Sequence, residues 1–298
     1  MNIAKKIFVT LRGVARHPLN RLSKFKAIRD FCVAQVAVRM VPGDICVPFP
    51  NGTHLLISPH MKGAAHFISP GLCEYEEMVF VMHFLRPDDL FVDVGSNVGA
   101  YTLLGSGVAG ANTIAVEPSP STFRYLRQNV LLNELTDRVT TVHAALGRKE
   151  GRLKLTEHLG TENYVCPSGG ASGPSVEVNV TSLDVLLRDK KPALIKIDVE
   201  GFETEVLAGA VETLARSSLQ SMIVERADNA VRYGYDEAAL HRQIQEKGFL
   251  PFAYNPETRS LTRLAPDSHG NIIYLRDPDA TAKRLREAPA IRFSNRSI

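Results

Sequence analysis

The sequence predicts an α/β fold, a mostly parallel sheet with helices on both faces, preceded by a helical and hairpin extension. Three observations carry this expectation. From residue 90 onward, apolar runs of strand length alternate with amphipathic stretches of helical period, the pattern of a parallel sheet covered by helices. The first run, 90–94 (LFVDV), enters a glycine turn, Gly95-Ser96-Asn97-Val98-Gly99, that opens into a helix. Acids stand at the ends of three of the runs: Asp93, Glu117 and Asp198.

The elements follow in order. Residues 23–40 read as a helix with Phe25, Ile28, Phe31, Cys32 and Val36 near one face, ended by Pro42-Gly43. Two short alternating stretches, 45–47 and 54–57, flank Asn51-Gly52 as a hairpin. A helix over 76–85 leads into the first core strand, 90–94, and 113–116 is the second. Ser119 caps the next helix with Pro120 in its first turn, and Phe123, Leu126, Val130 and Leu131 form its inward face. Core strands follow at 139–146, 193–199 and 221–225. Val206, Leu207, Ala210, Val211 and Leu214 line one side of the helix after the fourth strand. A helix over 236–247 and late strands at 251–254 and 271–275 complete the pattern. Between the third and fourth strands, 152–157 and 176–180 alternate like the arms of a hairpin. The Gly-, Ser- and Pro-rich stretch 160–175 joining them is either a surface excursion or a lid. The organisation expected is an extension over 1–70, a core domain over 71–276 with an insertion at 150–180, and a charged, peripheral tail over 277–298.

Composition bounds the function. With 298 residues, 44% hydrophobic and 22% charged, the chain suits one large globular domain with extensions. No run of about 18 apolar residues could cross a membrane. Lys5 and Lys6 precede only a short apolar stretch before Arg12 and Arg16, unlike a secretory leader. Cys32, Cys46, Cys73 and Cys166 are far apart with no CxxC pair, so they are expected to be buried or incidental thiols of a reducing cytoplasm. The net charge of +3 hides an asymmetry. Residues 1–40 hold nine Lys or Arg and one acid, Asp30, for +8, which leaves −5 for the remainder. Such an arm is either a solvated flanking helix or a contact for nucleic acid, an anionic membrane surface or an acidic partner. Few aromatics accompany the charges, which argues against nucleic acid.

The glycine turn sits where open α/β sheets bind ligands. A dinucleotide site wants a second glycine where Asn97 stands, and the carboxylate of Asp93 would repel a pyrophosphate. S-adenosylmethionine carries an ammonium and a sulfonium instead, so electrostatics favours it. Glu117, 24 residues on, is placed to accept hydrogen bonds from ribose hydroxyls. In 195–203 (IKIDVEGFE), Lys196, Asp198 and Glu200 share a face if the strand continues that far, and Lys196 can alternatively pair with a carboxylate.

These segments resemble the FkbM family of S-adenosylmethionine-dependent methyltransferases, through 91–101 (FVDVGSNVGAY), 116–133 (VEPSPSTFRYLRQNVLLN) and 195–203 with Val206-Leu207 and Gly209-Ala210 after it. Residues 142–147 (VHAALG), 181–183 and 223–225 also fit, so the likeness runs from about 71 to 254. The resemblance implies a Rossmann-like class I fold of seven strands, the last antiparallel, and methyl transfer usually to oxygen. It implies that Asp93, Gly95, Asn97 and Gly99 line the methionine and ribose side, with Ser96 where the family often has Ala. Glu117 takes the ribose, Ala144 or Ala145 lies near adenine, and the stretch from Glu74 to Glu76 closes the methionine end. The acceptor is then a hydroxyl of a natural product, sugar or lipid. Asp198 or Glu200 can accept its proton, or both can hold a divalent cation that lowers its pKa. His143 is a third candidate base, with a satisfied strand-end histidine as its plainer reading. A nicotinamide-dependent oxidoreductase and a non-catalytic binding module are the competing readings; Asp93 and the missing second glycine speak against the first, and the retained acids Asp93, Glu117 and Asp198 against the second.

Overall fold

Runs rich in β-branched residues, too short for helices and apolar on both sides, can only be satisfied as central strands. They are so used here. The structure, a computed structural model, describes residues 3–21, 23–59, 61, 64–68, 71–157, 160–167, 170, 173–226, 228–265, 268–293 and 296–297. The extension comprises α1 (Ile3–Arg16), α2 (Lys24–Met40), a hairpin of β1 (Ile45–Pro48) and β2 (His54–Ile57), and α3 (Ala64–Ile68). Helix α4 (Tyr75–Phe84) leads to β3 (Leu90–Val94), α5 (Ala100–Leu103), β4 (Asn112–Val116), α6 (Pro120–Leu132) and β5 (Val139–Val142). Strand β6 (Ala145–Leu146) precedes the insertion, whose arms are β7 (Gly151–Thr156) and β8 (Ser175–Thr181). Then come α7 (Leu183–Leu186), β9 (Pro192–Ile197), α8 (Glu203–Ala208), α9 (Val211–Ala215), β10 (Ser221–Arg226) and α10 (Glu237–Glu246). Strands β11 (Leu250–Asn255), β12 (Ser260–Arg263) and β13 (Gly270–Leu275) precede α11 (Pro278–Arg286).

The main sheet has the order β12-β11-β13-β10-β9-β3-β4-β5. Strands β5, β4, β3, β9 and β10 are mutually parallel, and β13 runs antiparallel between β10 and β11. This is the expected Rossmann-like class I arrangement with an eighth strand, β12, added at its edge. The chain steps outward from β3 to β5, then returns to β9 on the other side of β3. That reversal opens a crevice at the C-terminal ends of β3 and β9. The pleat sorts side chains by parity: Phe91 enters the core beneath α4, while Val92 and Val94 enter the opposite core with Ile195, Ile197, Val206 and Phe249.

Several elements differ from the sequence expectation. In α2 the buried residues are Ala27, Phe31, Ala34 and Val38, whereas Phe25 and Val36 face outward. In α6 the buried face is Thr122, Tyr125, Leu126, Asn129 and Val130, and Leu131 is exposed. The expected third strand breaks at His143-Ala144, because β6 leaves the main sheet to pair with β8. The helix after β9 is two short ones, and Val211 points to solvent. Nor is the tail merely peripheral. Leu285 is fully buried against the α4 side of the sheet, Arg284 pairs with Asp89, and Arg86 donates to the Arg284 carbonyl at 2.7 Å. Positions 158–159, 168–169 and 171–172 of the insertion lie outside the described residues.

Buried side chains of α6 tie the extension to the sheet domain, Asn129 most deeply. Asn129, fully buried on α6, donates through Nδ2 to the carbonyls of Leu56 (3.0 Å) and Val98 (2.8 Å), and its Oδ1 accepts from the Leu56 amide at 2.6 Å. Leucine keeps the volume but strands these backbone groups. Asn129→Leu is expected to lower stability by about 2–4 kcal/mol in urea unfolding; a loss below about 0.5 kcal/mol would show that the contact is dispensable.

Candidate active site

The crevice is built by close backbone approach. Gly95 has φ of 75°, and a Cβ there would stand 1.9 Å from the Asp198 carbonyl oxygen. Only glycine lets the turn after β3 lie against the end of β9. The amides of Gly95 and Ser96 both donate to the Val116 carbonyl (3.0 Å each), which fixes the same turn to β4. Three strand ends thereby converge.

Each end delivers an acid. Asp93 is buried; Oδ2 accepts from Thr102 Oγ1 at 2.7 Å, while Oδ1 has no partner among the described residues. Burial raises its pKa to about 6, against the opposing pull of Lys196. Glu117 receives the Asn97 amide at Oε2 (2.9 Å) and the Ser119 amide at Oε1 (2.8 Å). Burial still raises its pKa to about 7. A carboxylate accepts about four hydrogen bonds, so both oxygens retain capacity. From β9, Lys196 is almost wholly buried and donates to Asp198 Oδ2 at 2.6 Å. Burial works against its charge, but Asp198, Glu74 and Asp93 outweigh that and raise its pKa. Its ammonium lies 4.5 Å from the centre of the Tyr101 ring, and the Tyr101 hydroxyl donates to Glu74 at 2.6 Å.

These groups line one pocket with about 1100 Å³ of atom-free space, mouth included. Of the residues expected from the sequence, Asp93, Gly95, Ser96, Asn97, Glu117, Ala144, Asp198 and Glu200 all face it. Three do not. Glu76 is exposed outside the pocket, and the preceding acid, Glu74, lines the wall instead. Gly99 starts α5 at φ 92°, where a Cβ would press within 2.8 Å of Leu126; it serves packing, not the pocket wall. His143 is exposed, stacks on Phe123 with ring centres 4.5 Å apart, and contacts the Pro118 carbonyl through Nε2 at 3.1 Å. It lies outside the pocket lined by Asp93, Glu117 and Asp198. Glu200 is no strand residue: β9 ends at Ile197, and Glu200 sits in a turn with φ of 56°. Among the described residues no group of three His, Cys, Asp or Glu is placed to hold a metal, so the cation weighed from Asp198 and Glu200 finds no support. The cysteines are free. Three are exposed rather than buried, and Cys73 contributes to the pocket rim.

Comparison with known proteins decides the family. Residues 93–251 match the family described as the methyltransferase FkbM domain, more than half of the chain. The chain belongs to the FkbM methyltransferase family. Methyltransferase 1 of Beauveria bassiana is 28% identical across 57% of this chain and 76% of its own length. The hexuronic acid methyltransferase AglP of Haloferax volcanii is 33% identical across 51% of this chain and 62% of its own, just under two thirds of that enzyme. A solved structure of M. capricolum TrmK with S-adenosyl-homocysteine aligns at a TM-score of 0.39 and 11% identity, over 67% of this chain and 68% of that one.

An FkbM methyltransferase implies S-adenosylmethionine, and the pocket fits it. The unpartnered Asp93 Oδ1 suits a cationic donor. Ser96 Oγ, also buried without a partner among the described residues, awaits a polar group, and Glu117 can take ribose hydroxyls. The insertion supplies a wall that sequence reasoning left undecided. Leu155, Gly160, Asn163, Tyr164 and Val165 face the pocket. The Tyr233 hydroxyl donates to the Val165 carbonyl at 2.7 Å, and Arg232 stacks on Tyr164 at 3.7 Å.

The raised Glu117 has a defined pH signature. Its folded pKa, about 7, lies above the ordinary 4.5. Its share of stability is therefore complete below about pH 4.5 and is lost as pH rises through 7. Glutamine mimics the protonated form. The stability difference between Glu117→Gln and wild type, without ligand, should shift in the variant's favour between about pH 5 and pH 8 in denaturant titrations. A difference constant over that range would show that Glu117 is not raised.

Proposed function

We propose that this methyltransferase moves the methyl group of S-adenosylmethionine to a hydroxyl of a sugar, lipid or natural-product acceptor. The observation that carries the reading is the loop after β9, which brings Asp198 and Glu200 into the same pocket as Asp93 and Glu117. The likeness to a hexuronic acid methyltransferase supports a sugar acceptor within that range. A hydroxyl must lose its proton as it attacks, so an acceptor oxygen needs a proton acceptor in reach, a role these carboxylates can fill.

S-adenosylmethionine, when bound, supplies an electrophilic methyl on a sulfonium. The chain's own residues do the rest. Asp93 and Glu117 hold the cofactor's cationic and ribose groups, which fixes the direction of attack and removes the entropy of bringing two reactants together. Lys196 grips one oxygen of Asp198 and, through its contact with Tyr101, keeps that carboxylate at the pocket floor. Glu200 is oriented from behind by Asn229, whose Nδ2 donates to Oε2 at 3.0 Å, and by Arg232, which donates to the Glu200 carbonyl at 3.0 Å. In this reading Glu200, with Asp198 beside it, takes the proton.

With labelled S-adenosylmethionine and a panel of hydroxylated acceptors including hexuronic acids, Glu200→Gln is expected to lower turnover by about 10²-fold or more, with cofactor affinity kept. Asp198→Asn should lower turnover and also change cofactor affinity, because it frees Lys196. Near wild-type turnover in both variants on a true acceptor would leave positioning alone as the source of rate.

A further inference from the structure

Helix α2 has two apolar faces, and only one is covered. The small-residue face, with Ala27, Phe31 and Ala34, packs with Val14 of α1. On the other side Phe25 is 90% exposed, Val33 60%, Val36 54% and Met40 76%. With Cys32, also exposed, they fall within an arc of about 100° at 3.6 residues per turn. Arg29 lies inside this arc and Arg39 at its edge, both exposed. Helix α1 repeats the pattern: Phe8 and Val9 are exposed beside Arg12 and Arg16. The sequence carries +8 over residues 1–40, against −5 for the rest.

We propose that the α1–α2 hairpin is a docking surface for an anionic lipid bilayer. Large apolar side chains on a solvent-facing helix mark a contact surface. Apolar residues interleaved with Arg and Lys mark a helix that lies in the bilayer interface, its apolar side chains among the acyl chains and its cations at anionic headgroups. Among the described residues no helix is long and apolar enough to cross a membrane, so the contact is peripheral. A second copy of the chain is a poor occupant, since two faces of the same strong positive charge would repel. The hairpin also lies beside the pocket. Phe31 of α2 meets His66 of α3 with ring centres 5.2 Å apart, and Phe67 of the same short helix lines the pocket.

The test is co-sedimentation of the full chain with phosphatidylcholine vesicles, with and without about 30% phosphatidylserine. Retention is expected on the anionic vesicles at low salt and should be lost by about 0.5 M salt, where charges are screened within a few ångströms. Phe25→Ser with Val36→Ser, and separately Arg12→Glu with Arg16→Glu, should each lower retention about tenfold or more. All four residues are exposed, so circular dichroism and melting should be unchanged. Equal retention on neutral and anionic vesicles, no retention on either, or wild-type retention of both double variants would overturn the proposal. So would a wild-type dimer that becomes monomeric in the Phe25→Ser, Val36→Ser variant without any vesicle binding.

Discussion

The contact of the Gly95 backbone with the Asp198 carbonyl is the constraint on which the site depends. Any side chain at position 95 would push β3's turn away from the end of β9. Asp93, Lys196 and Asp198 would then no longer share a wall, and the Asn97 amide would no longer reach Glu117. One missing Cβ thus couples three strand ends, and the strand order of the sheet puts those ends at the point where ligands enter open α/β folds.

Charge explains why such a site suits this cofactor. Glu74, Asp93, Glu117, Asp198 and Glu200 face the pocket, and Lys196 is the one Lys or Arg among the described residues that line it. Burying so many carboxylates is unfavourable without compensation, and the raised pKa values of Asp93 and Glu117 record that burden. A ligand that brings an ammonium and a sulfonium relieves it; a pyrophosphate would add to it. S-adenosylhomocysteine, which lacks the sulfonium charge, would gain less from the same acids.

Much of this was legible in the sequence because it is local. Strand β3 and the glycine turn stand where period and composition placed them, and the other core strands, except the third, which ends four residues early at Val142, lie close to their expected bounds. What stayed hidden depends on phase or on distance along the chain. Helix α2 has large residues on one face and alanines on the other, so hydrophobic period alone marks the wrong side as covered. Glu74 and Glu76 differ by two positions, which at a helix start places one at the pocket and turns the other to solvent. The Tyr101–Glu74 hydrogen bond, the clasp of Arg232 and Tyr233 on the insertion, and the packing of α11 join segments whose separation leaves no local trace.

The central claim is that the acidic pocket receives S-adenosylmethionine, and calorimetric titration of the full chain with S-adenosylhomocysteine, with NAD in parallel, tests it most directly. Saturable binding of S-adenosylhomocysteine is expected, with a gain in stability of about 2.7 kcal/mol at a hundred times the dissociation constant. Glu117→Ala should weaken that binding by about 1–3 kcal/mol, and NAD should not bind. Binding of NAD, or no heat and no stabilisation with millimolar S-adenosylhomocysteine, would contradict the account.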